Sequence, residues 1–201
     1  WVARTHPKEL RTKELCETLE AITLIGSAIN HLLVNNPGRK ESNMTIYDLA
    51  CGHGLGGMLL AYRFPDVKVV CVDIERRPCW NTYREAFEKF GMKAKEDDVA
   101  VTSNLTFQVG DIMTAIKPKR GDYLMSLHGC NELSPFVLGT AQKYRTGYAV
   151  MPCCIRDGLL GVSSTSSNNN WGIVDDTARY SLQVGYLSTI WEVWMFEGCC
   201  N

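Results

Sequence analysis

The sequence lacks any apolar run near the ~20 residues that a transmembrane helix needs, so we expect no membrane partner. It also lacks an excess of charge of either sign, since 21 basic and 22 acidic residues leave a net charge of −1. This balance excludes the global attraction that marks many nucleic-acid-binding domains, although local basic patches remain compatible with it. We expect no DNA partner. Internal repeats are also absent, and 201 residues predict one globular unit.

The nine cysteines do not suggest a disulfide scaffold. Cys51 lies inside a glycine-rich turn and Cys71 inside a predicted central strand, where small buried residues are typical. We therefore predict reduced thiols and an intracellular location, cytoplasmic or nuclear. Because the chain starts at Trp1 rather than Met, we expect a fragment or a processed form.

The most informative stretch is residues 46–57, Ile-Tyr-Asp-Leu-Ala-Cys-Gly-His-Gly-Leu-Gly-Gly. Its apolar start predicts a buried parallel strand, and the pattern of residues 58–62 starts a helix. The glycines between them allow a tight turn and let a ligand lie against bare backbone. Such turns serve dinucleotides, phosphates or packing alone, so the turn by itself does not name a ligand.

A second apolar run reduces the number of ligands that the glycine turn could bind. Residues 67–72 predict another buried strand, which ends at Asp73, nineteen positions after Gly54. A carboxylate at this position can accept hydrogen bonds from both hydroxyls of a ribose. Two features differ from a dinucleotide-binding pattern: Asp48 precedes the turn, and the glycines read G-x-G-x-G.

The stretch Asp-Leu-Ala-Cys-Gly-His-Gly resembles the first motif of class I S-adenosylmethionine-dependent methyltransferases. The resemblance implies S-adenosylmethionine as the cofactor and a Rossmann-like, doubly wound α/β fold with a mostly parallel, seven-stranded type of sheet. In that family the acid and the turn hold the methionine end of the cofactor, and the acid that ends the second strand holds its ribose. The alternatives are another nucleotide in a Rossmann-like domain and a turn that binds nothing.

Strands and helices alternate through residue 154, which predicts a parallel sheet with right-handed crossovers. After Asp73 we expect a helix from Pro78 to Gly91 and another from Pro135. The further predicted strands are residues 105–109, 123–127 and 147–151. Residues 158–172 predict a surface loop, with a last helix and strand after it.

Residues 1–45 predict an N-terminal helical extension and linker, and residues 46–201 the methyltransferase domain. One or two helices are expected over residues 5–34, with Thr5 as a possible N-cap. Their apolar stripe consists of Leu10, Leu15, Leu19, Ile22, Ile29 and Leu33. The basic residues at the start are Arg4, His6, Lys8, Arg11 and Lys13. They form either a solvated helix face or a patch that contacts phosphates.

At the end of the third predicted strand, Asp111 follows Gly110. The resemblance implies that this acid lies near the adenine, and the alternative is a helix N-cap ahead of Met113. The cofactor contacts that the resemblance implies are Asp48, Ala50, Cys51, Gly52, His53, Gly54, Asp73, Ile74, Gly110, Asp111, Ile112 and Leu127.

The carboxyl end of the fourth strand is where a substrate contact is expected. Residues 127–134, Leu-His-Gly-Cys-Asn-Glu-Leu-Ser, and residues 151–154, Met-Pro-Cys-Cys, resemble stretches of one methyltransferase group. That group contains the eukaryotic tRNA acceptor-stem 2′-O-methyltransferases and the methyltransferase-like 25 proteins. The likeness favours a tRNA-type RNA hydroxyl as the acceptor, whereas the near-neutral charge favours a small molecule. A catalytically silent, cofactor-binding partner subunit is the third alternative.

The candidate catalytic residues are His128, Asn131, Glu132 and Cys153. His128 is a general base or substrate anchor, or else its imidazole ties the strand end to backbone. Glu132 contacts the nucleophile or is a helix-start carboxylate favoured by the helix dipole. Cys153, with Cys130 and Cys154, fits packing, a thiolate nucleophile or a metal site. We predict packing and no metal.

Overall fold

The computed structural model describes residues 1–9, 11–35, 43–90, 103–129 and 133–151. In chain order the elements are α1 (Val2–Thr5), a 3-10 helix (Pro7–Glu9), α2 (Thr12–Val34), β1 (Thr45–Leu49), α3 (Leu55–Arg63), β2 (Lys68–Asp73), α4 (Cys79–Phe90), β3 (Leu105–Val109), α5 (Ile112–Ala115), β4 (Tyr123–Leu127), α6 (Leu133–Tyr144) and β5 (Gly147–Met151). The loop, helix and strand predicted after residue 157 lie outside the described residues.

The five strands form one sheet, and all four pairings are parallel. The strand order is β3-β2-β1-β4-β5, so the chain builds outward from β1 on one side and then returns to build β4 and β5 on the other. This confirms the predicted parallel, Rossmann-like α/β fold. Within the described ranges the sheet has five strands, fewer than the seven that the resemblance implied. The order reverses between β1 and β4, where such folds open a crevice.

β1 is buried at the centre of the sheet. Ile46 and Leu49 have no exposed surface, as expected for a strand that is covered on both faces. The start of β1 is held by a buried carboxylate, because Asp122 Oδ1 accepts a hydrogen bond of 2.9 Å from the Thr45 amide. Ala50, expected in the strand, lies in the turn with a φ of 54°. The strand therefore ends one residue before the predicted end of the apolar run.

Helix α2 packs on the core through one face. The buried residues of this face are Thr18, Ile22, Ile25, Gly26 and Ile29. Its isoleucines join the cluster that contains Ile46 of β1 and Met58 of α3. The expected stripe is wrong at Leu19, which is exposed because the buried face passes through Thr18 instead. The predicted boundary between residues 45 and 46 stays a prediction.

The expected N-cap at Thr5 is also wrong. Thr5 is the last residue of α1, and its hydroxyl donates a hydrogen bond of 3.0 Å to the Trp1 carbonyl oxygen. The long helix begins at Thr12, after the N-cap position of Arg11. A hydroxyl residue beside Pro7 satisfies the sequence rule for a cap, but it ends a short turn here instead of starting the long helix.

Helix α3 begins at Leu55, earlier than the predicted start at Met58. Gly56 and Gly57 are therefore part of the helix and not of the turn. A Cβ atom at Gly57 would collide with Cys71 Sγ, and one at Gly56 would lie 3.2 Å from Met125 Cε. These glycines allow the helix to lie directly against the sheet, so their role is close packing.

Candidate functional site

The turn between β1 and α3 has three residues in the left-handed region. Ala50, Gly52 and Gly54 have φ angles of 54°, 57° and 74°. A Cβ atom at Gly54 would collide with the Trp80 ring, so this glycine is required for packing. Gly52 differs, because a Cβ atom there would meet no atom of the described residues within 4 Å. Bare backbone at Gly52 thus faces open space, where a ligand can approach it.

That space is a cavity of about 750 Å³ at the carboxyl ends of β1, β2 and β4. Ten of the twelve predicted cofactor contacts line it: Asp48, Ala50, Cys51, Gly52, His53, Asp73, Ile74, Asp111, Ile112 and Leu127. Gly54 and Gly110 are not on its wall. The Gly110 amide donates a hydrogen bond of 2.8 Å to the Asp73 carbonyl oxygen, which joins the ends of β3 and β2.

Asp73 is held in place by two backbone amides. Its Oδ2 accepts a hydrogen bond of 2.7 Å from the Gly52 amide, and its Oδ1 accepts one of 2.8 Å from the Ile74 amide. A carboxylate oxygen has two acceptor sites, so each oxygen keeps one for a ligand. The Asp73 carboxylate can therefore accept hydrogen bonds from two hydroxyl groups at the cavity wall without a movement of its side chain.

Asp111 is the N-cap of α5, since its Oδ1 accepts a hydrogen bond of 2.9 Å from the Met113 amide. The capping alternative is therefore observed. Asp111 also lines the cavity, and within the described ranges no hydrogen bond reaches its Oδ2. Because capping uses one oxygen only, the other is available for a ligand. The contact with an adenine stays a prediction.

Asp48 is a buried carboxyl at the floor of the cavity, only 2% exposed. Its Oδ2 accepts a hydrogen bond of 2.8 Å from the Gly57 amide and one of 3.8 Å from the Cys71 thiol. Burial raises the pKa of Asp48 to about 7, although the Gly57 amide opposes the rise. Burial also raises the pKa of the Cys71 thiol, which therefore stays protonated and donates.

Asp48→Asn should remove a pH dependence of stability. Because the pKa of Asp48 is about 7 in the folded state and 3.8 in the reference state, the folded protein alone holds this proton between those values. The wild type should therefore lose free energy of unfolding, relative to the variant, as the pH rises from about 4 to about 7, by up to ~1.4 kcal/mol per pH unit.

Urea denaturation of both proteins at about pH 5 and about pH 7.5 measures this difference. Asp66→Asn, at an exposed position between α3 and β2, is the control and should follow the wild type. If the wild type and Asp48→Asn differ by the same free energy at both pH values, Asp48 does not carry a shifted proton.

His53 connects the turn to helix α2. Its Nδ1 accepts a hydrogen bond of 3.2 Å from the Leu55 amide, so the neutral ring carries its hydrogen on Nε2. Nε2 lies 4.0 Å from Glu14 Oε2. Burial lowers the pKa of His53, while the charge of Glu14 raises it and those of His128 and Arg77 lower it. The ring is thus a neutral donor directed at a carboxylate.

His128 follows β4 and lines the same cavity. It has a φ of 60°, and its amide donates a hydrogen bond of 2.8 Å to the Met151 carbonyl oxygen of β5. The backbone of this residue therefore joins the two strand ends. A role of the imidazole as base or substrate anchor stays a prediction. The other candidate catalytic residues, Asn131, Glu132 and Cys153, lie outside the described residues, as do Cys130 and Cys154.

Part of the cavity wall was not expected from the sequence as a cofactor site. The additional lining residues are Arg11, Lys13, Glu14, Glu17, Thr18, Gly56, Arg77 and Leu133. Arg11 pairs with Glu14 at 3.0 Å and Lys13 with Glu17 at 3.6 Å. The two basic residues belong to the predicted basic start of the chain, so that start reaches the rim of the cavity.

The described ranges contain no group of three or more side chains that could hold a metal ion. No helix in this part of the chain is long and apolar enough to cross a membrane.

Residues 15–157 match the family model described as "Methyltransferase domain". The chain belongs to this methyltransferase-domain family. The match confirms the predicted S-adenosylmethionine-dependent methyltransferase at the level of the family. It covers most of the methyltransferase domain and also part of helix α2, which lies before the predicted boundary.

Individual proteins match the chain to different extents. The "Ribosomal RNA small subunit methyltransferase G" of Cupriavidus necator is 32% identical over 72 residues, which are 36% of this chain and 29% of the relative. The chain therefore spans less than a third of that relative. Apo S-adenosylmethionine-dependent methyltransferase SibL has a TM-score of 0.39 and 15% identity, over 77% of this chain and 43% of its own. PKMT2 from Rickettsia typhi, solved with AdoHcy, has a TM-score of 0.37 and 14% identity, over 53% and 20%.

Proposed function

We propose that this chain binds S-adenosylmethionine in the cavity and transfers its methyl group to an acceptor, with an RNA hydroxyl as the first candidate. The observation that carries the proposal is that ten of the twelve cofactor contacts expected from the sequence line one cavity where the strand order reverses. Gly52 supports it further, because its side toward the cavity is bare backbone with room for a ligand.

The residues present fit such a cofactor. Asp73, fixed by two amides, would accept the two ribose hydroxyls. Asp111 would contact the adenine with the oxygen that does not cap α5. When bound, the cofactor supplies a methyl group on a positively charged sulfur. Of the carboxyl groups on the cavity wall, Asp73 and Asp111 have no ion pair within the described residues, so they can offset the positive charge of the cofactor.

His128 is the described residue best placed to act on the acceptor. It lines the cavity directly after β4, and the backbone bond to Met151 fixes its position. A hydroxyl acceptor has to lose a proton, and a histidine can take it near neutral pH. The reaction also requires that the acceptor is aligned with the methyl group and that water is excluded. We propose that residues 130–132 and 152–154 contribute to holding the acceptor.

RNA is favoured as the acceptor by two kinds of support. Residues 127–134 and 151–154 resemble the tRNA acceptor-stem 2′-O-methyltransferase group, and a 72-residue stretch is similar to an enzyme named for ribosomal RNA. In addition, Lys13 and Arg77 lie at the cavity, where phosphates could bind them. The net charge of −1 favours the alternative, a small-molecule acceptor.

The test is transfer of a radiolabelled methyl group from S-adenosylmethionine to total RNA and, separately, to a metabolite extract. We expect label in RNA, recovered after alkaline hydrolysis as dinucleotides, because a 2′-O-methyl group blocks cleavage of the next phosphodiester bond. Label in the extract alone would establish the small-molecule alternative. Binding of the cofactor without transfer to either would indicate the silent partner subunit.

Calorimetric titration with S-adenosylhomocysteine, and with NAD as the control ligand, precedes this assay. If the folded chain binds neither S-adenosylmethionine nor S-adenosylhomocysteine, the proposed function is wrong for this chain.

A further inference from the structure

We propose that Glu14 of helix α2 binds the ammonium group at the amino-acid end of the cofactor. The inference rests on the proposed function and extends the cofactor site from the glycine turn to the N-terminal helix. It concerns a residue outside the predicted methyltransferase domain of residues 46–201.

The face of α2 that packs on the core becomes polar where it reaches the cavity. Ile22 is buried in the core, Thr18 one turn earlier is 2% exposed, and Glu14 one further turn earlier lines the cavity. These residues are four apart and share one side of the helix. The Glu14 side chain is 36% exposed and pairs with Arg11, so its carboxylate lies where the buried stripe ends. At this position it meets the cavity.

Two side chains lie beside the Glu14 carboxylate. Oε1 accepts a hydrogen bond of 3.0 Å from Arg11, and Oε2 faces the Nε2 hydrogen of His53 at 4.0 Å. The hydrogen lies on Nε2 because the Leu55 amide occupies Nδ1. Since His53 is part of the glycine turn, Glu14 lies beside that turn.

The order of the strands places the two ends of the cofactor. Asp111 follows β3, Asp73 ends β2, and the glycine turn follows β1, and these three strands are neighbours in that order. With the adenine at Asp111 and the ribose at Asp73, the remaining part of the molecule extends toward the turn. The amino-acid end therefore comes to the side of the cavity where His53 and Glu14 meet.

The other carboxyl groups of the cavity have partners of their own, and Asp73 and Asp111 are the proposed contacts of the ribose and the adenine. Asp73 holds the amides of Gly52 and Ile74, and Asp111 caps α5. Asp48 is buried against the Gly57 amide. Glu17 pairs with Lys13, away from the turn. Glu14 is thus the acid best placed for an ammonium group.

Arg11 adds a second feature to this position. The amino-acid end of the cofactor is a zwitterion, and the Arg11–Glu14 pair offers a cation beside an anion. The Arg11 side chain is 76% exposed, so its own pairing with Glu14 is weak and can rearrange around a ligand.

The experiment compares three ligands by calorimetry. S-adenosylhomocysteine has the whole amino-acid end, decarboxylated S-adenosylhomocysteine keeps the ammonium group as its only charge, and 5′-methylthioadenosine has neither charge. Glu14→Gln should weaken binding of the first two by about tenfold or more, the contribution of one hydrogen bond between charged groups. Binding of 5′-methylthioadenosine should stay within about twofold.

Glu20→Gln is the matched control, because Glu20 is exposed on the same helix and does not line the cavity. It should bind all three ligands as the wild type does. Unchanged binding of S-adenosylhomocysteine to Glu14→Gln would overturn the inference. An equal loss for 5′-methylthioadenosine would also overturn it, because Glu14 would then maintain the shape of the cavity. A loss for S-adenosylhomocysteine alone would overturn it too, because Glu14 would then affect the carboxylate of the ligand. A wild type that binds none of the three would instead overturn the proposed function.

Discussion

Asp73→Ala should weaken the binding of S-adenosylhomocysteine by about a hundredfold or more and leave the protein folded. The reason is that a hydrogen bond to a charged acceptor contributes about 1.5–3 kcal/mol, and this carboxylate has one acceptor site on each oxygen for a ribose hydroxyl. The substitution also removes the acceptor of the Gly52 amide, so the turn itself loses a contact. Calorimetry measures the affinity, and circular dichroism checks the fold.

Asp66→Ala is the control for Asp73→Ala, since Asp66 is an exposed aspartate just before β2, the strand that Asp73 ends. A ligand analogue separates the two effects of the substitution. A 2′-deoxy analogue of S-adenosylhomocysteine should bind the wild type more weakly than the parent ligand does. It should bind Asp73→Ala almost as well as the parent ligand does, because the hydroxyl that the analogue lacks and the carboxylate that the variant lacks are partners. Independent losses from the analogue and from Asp73→Ala would show that Asp73 supports the turn and does not contact the ribose.

His128→Asn should reduce methyl transfer to the acceptor by about 10²–10⁴-fold, the usual contribution of general acid–base catalysis. Cofactor affinity should change little, because the imidazole is expected to act on the acceptor. Asparagine is preferred over alanine because it tolerates the φ of 60° and therefore keeps the hydrogen bond from the backbone amide of residue 128 to the Met151 carbonyl oxygen. Single-turnover transfer at saturating cofactor gives the rate, and calorimetry gives the affinity.

His31→Asn serves as the matched substitution, since His31 is exposed in the last turn of α2. It should transfer methyl groups at the rate of the wild type. Turnover of His128→Asn at the wild-type rate would assign the imidazole to structure, and a loss of cofactor affinity that equals the loss of rate would place the ring against the cofactor.

The strands could be predicted because buried parallel strands are continuous apolar runs that end at polar residues or glycines. β3, β4 and β5 have the predicted bounds, and β2 starts one residue later. Helix starts were less accurate. Gly56 and Gly57 have the composition of a turn, but their place in α3 is decided by contacts with Cys71 and Met125, which are distant in sequence.

The candidate site was predictable where it follows strand ends. Asp48 lies in the last turn-facing part of β1, Asp73 ends β2 and Asp111 follows β3, so a local pattern is sufficient to find them. Glu14 and Thr18 could not be assigned to the cavity in this way, because the approach of α2 to the turn is a tertiary contact. The only local sign is a polar residue, Thr18, on a face that otherwise carries isoleucines.

The place of β1 in the sheet also sets the order in which the site can assemble during synthesis. β1 is made before both of its neighbours, and Asp122, which holds its first residue, comes 77 positions after Thr45. Parallel neighbours need a crossover, and contacts so distant in sequence form slowly. Because the ribosome synthesises the chain from its N-terminus, the edge of β1 that pairs with β4 has no strand partner until β4 has been made. A nascent chain that stops before Tyr123 carries the complete glycine motif, but it lacks the cavity residues Leu127, His128 and Leu133.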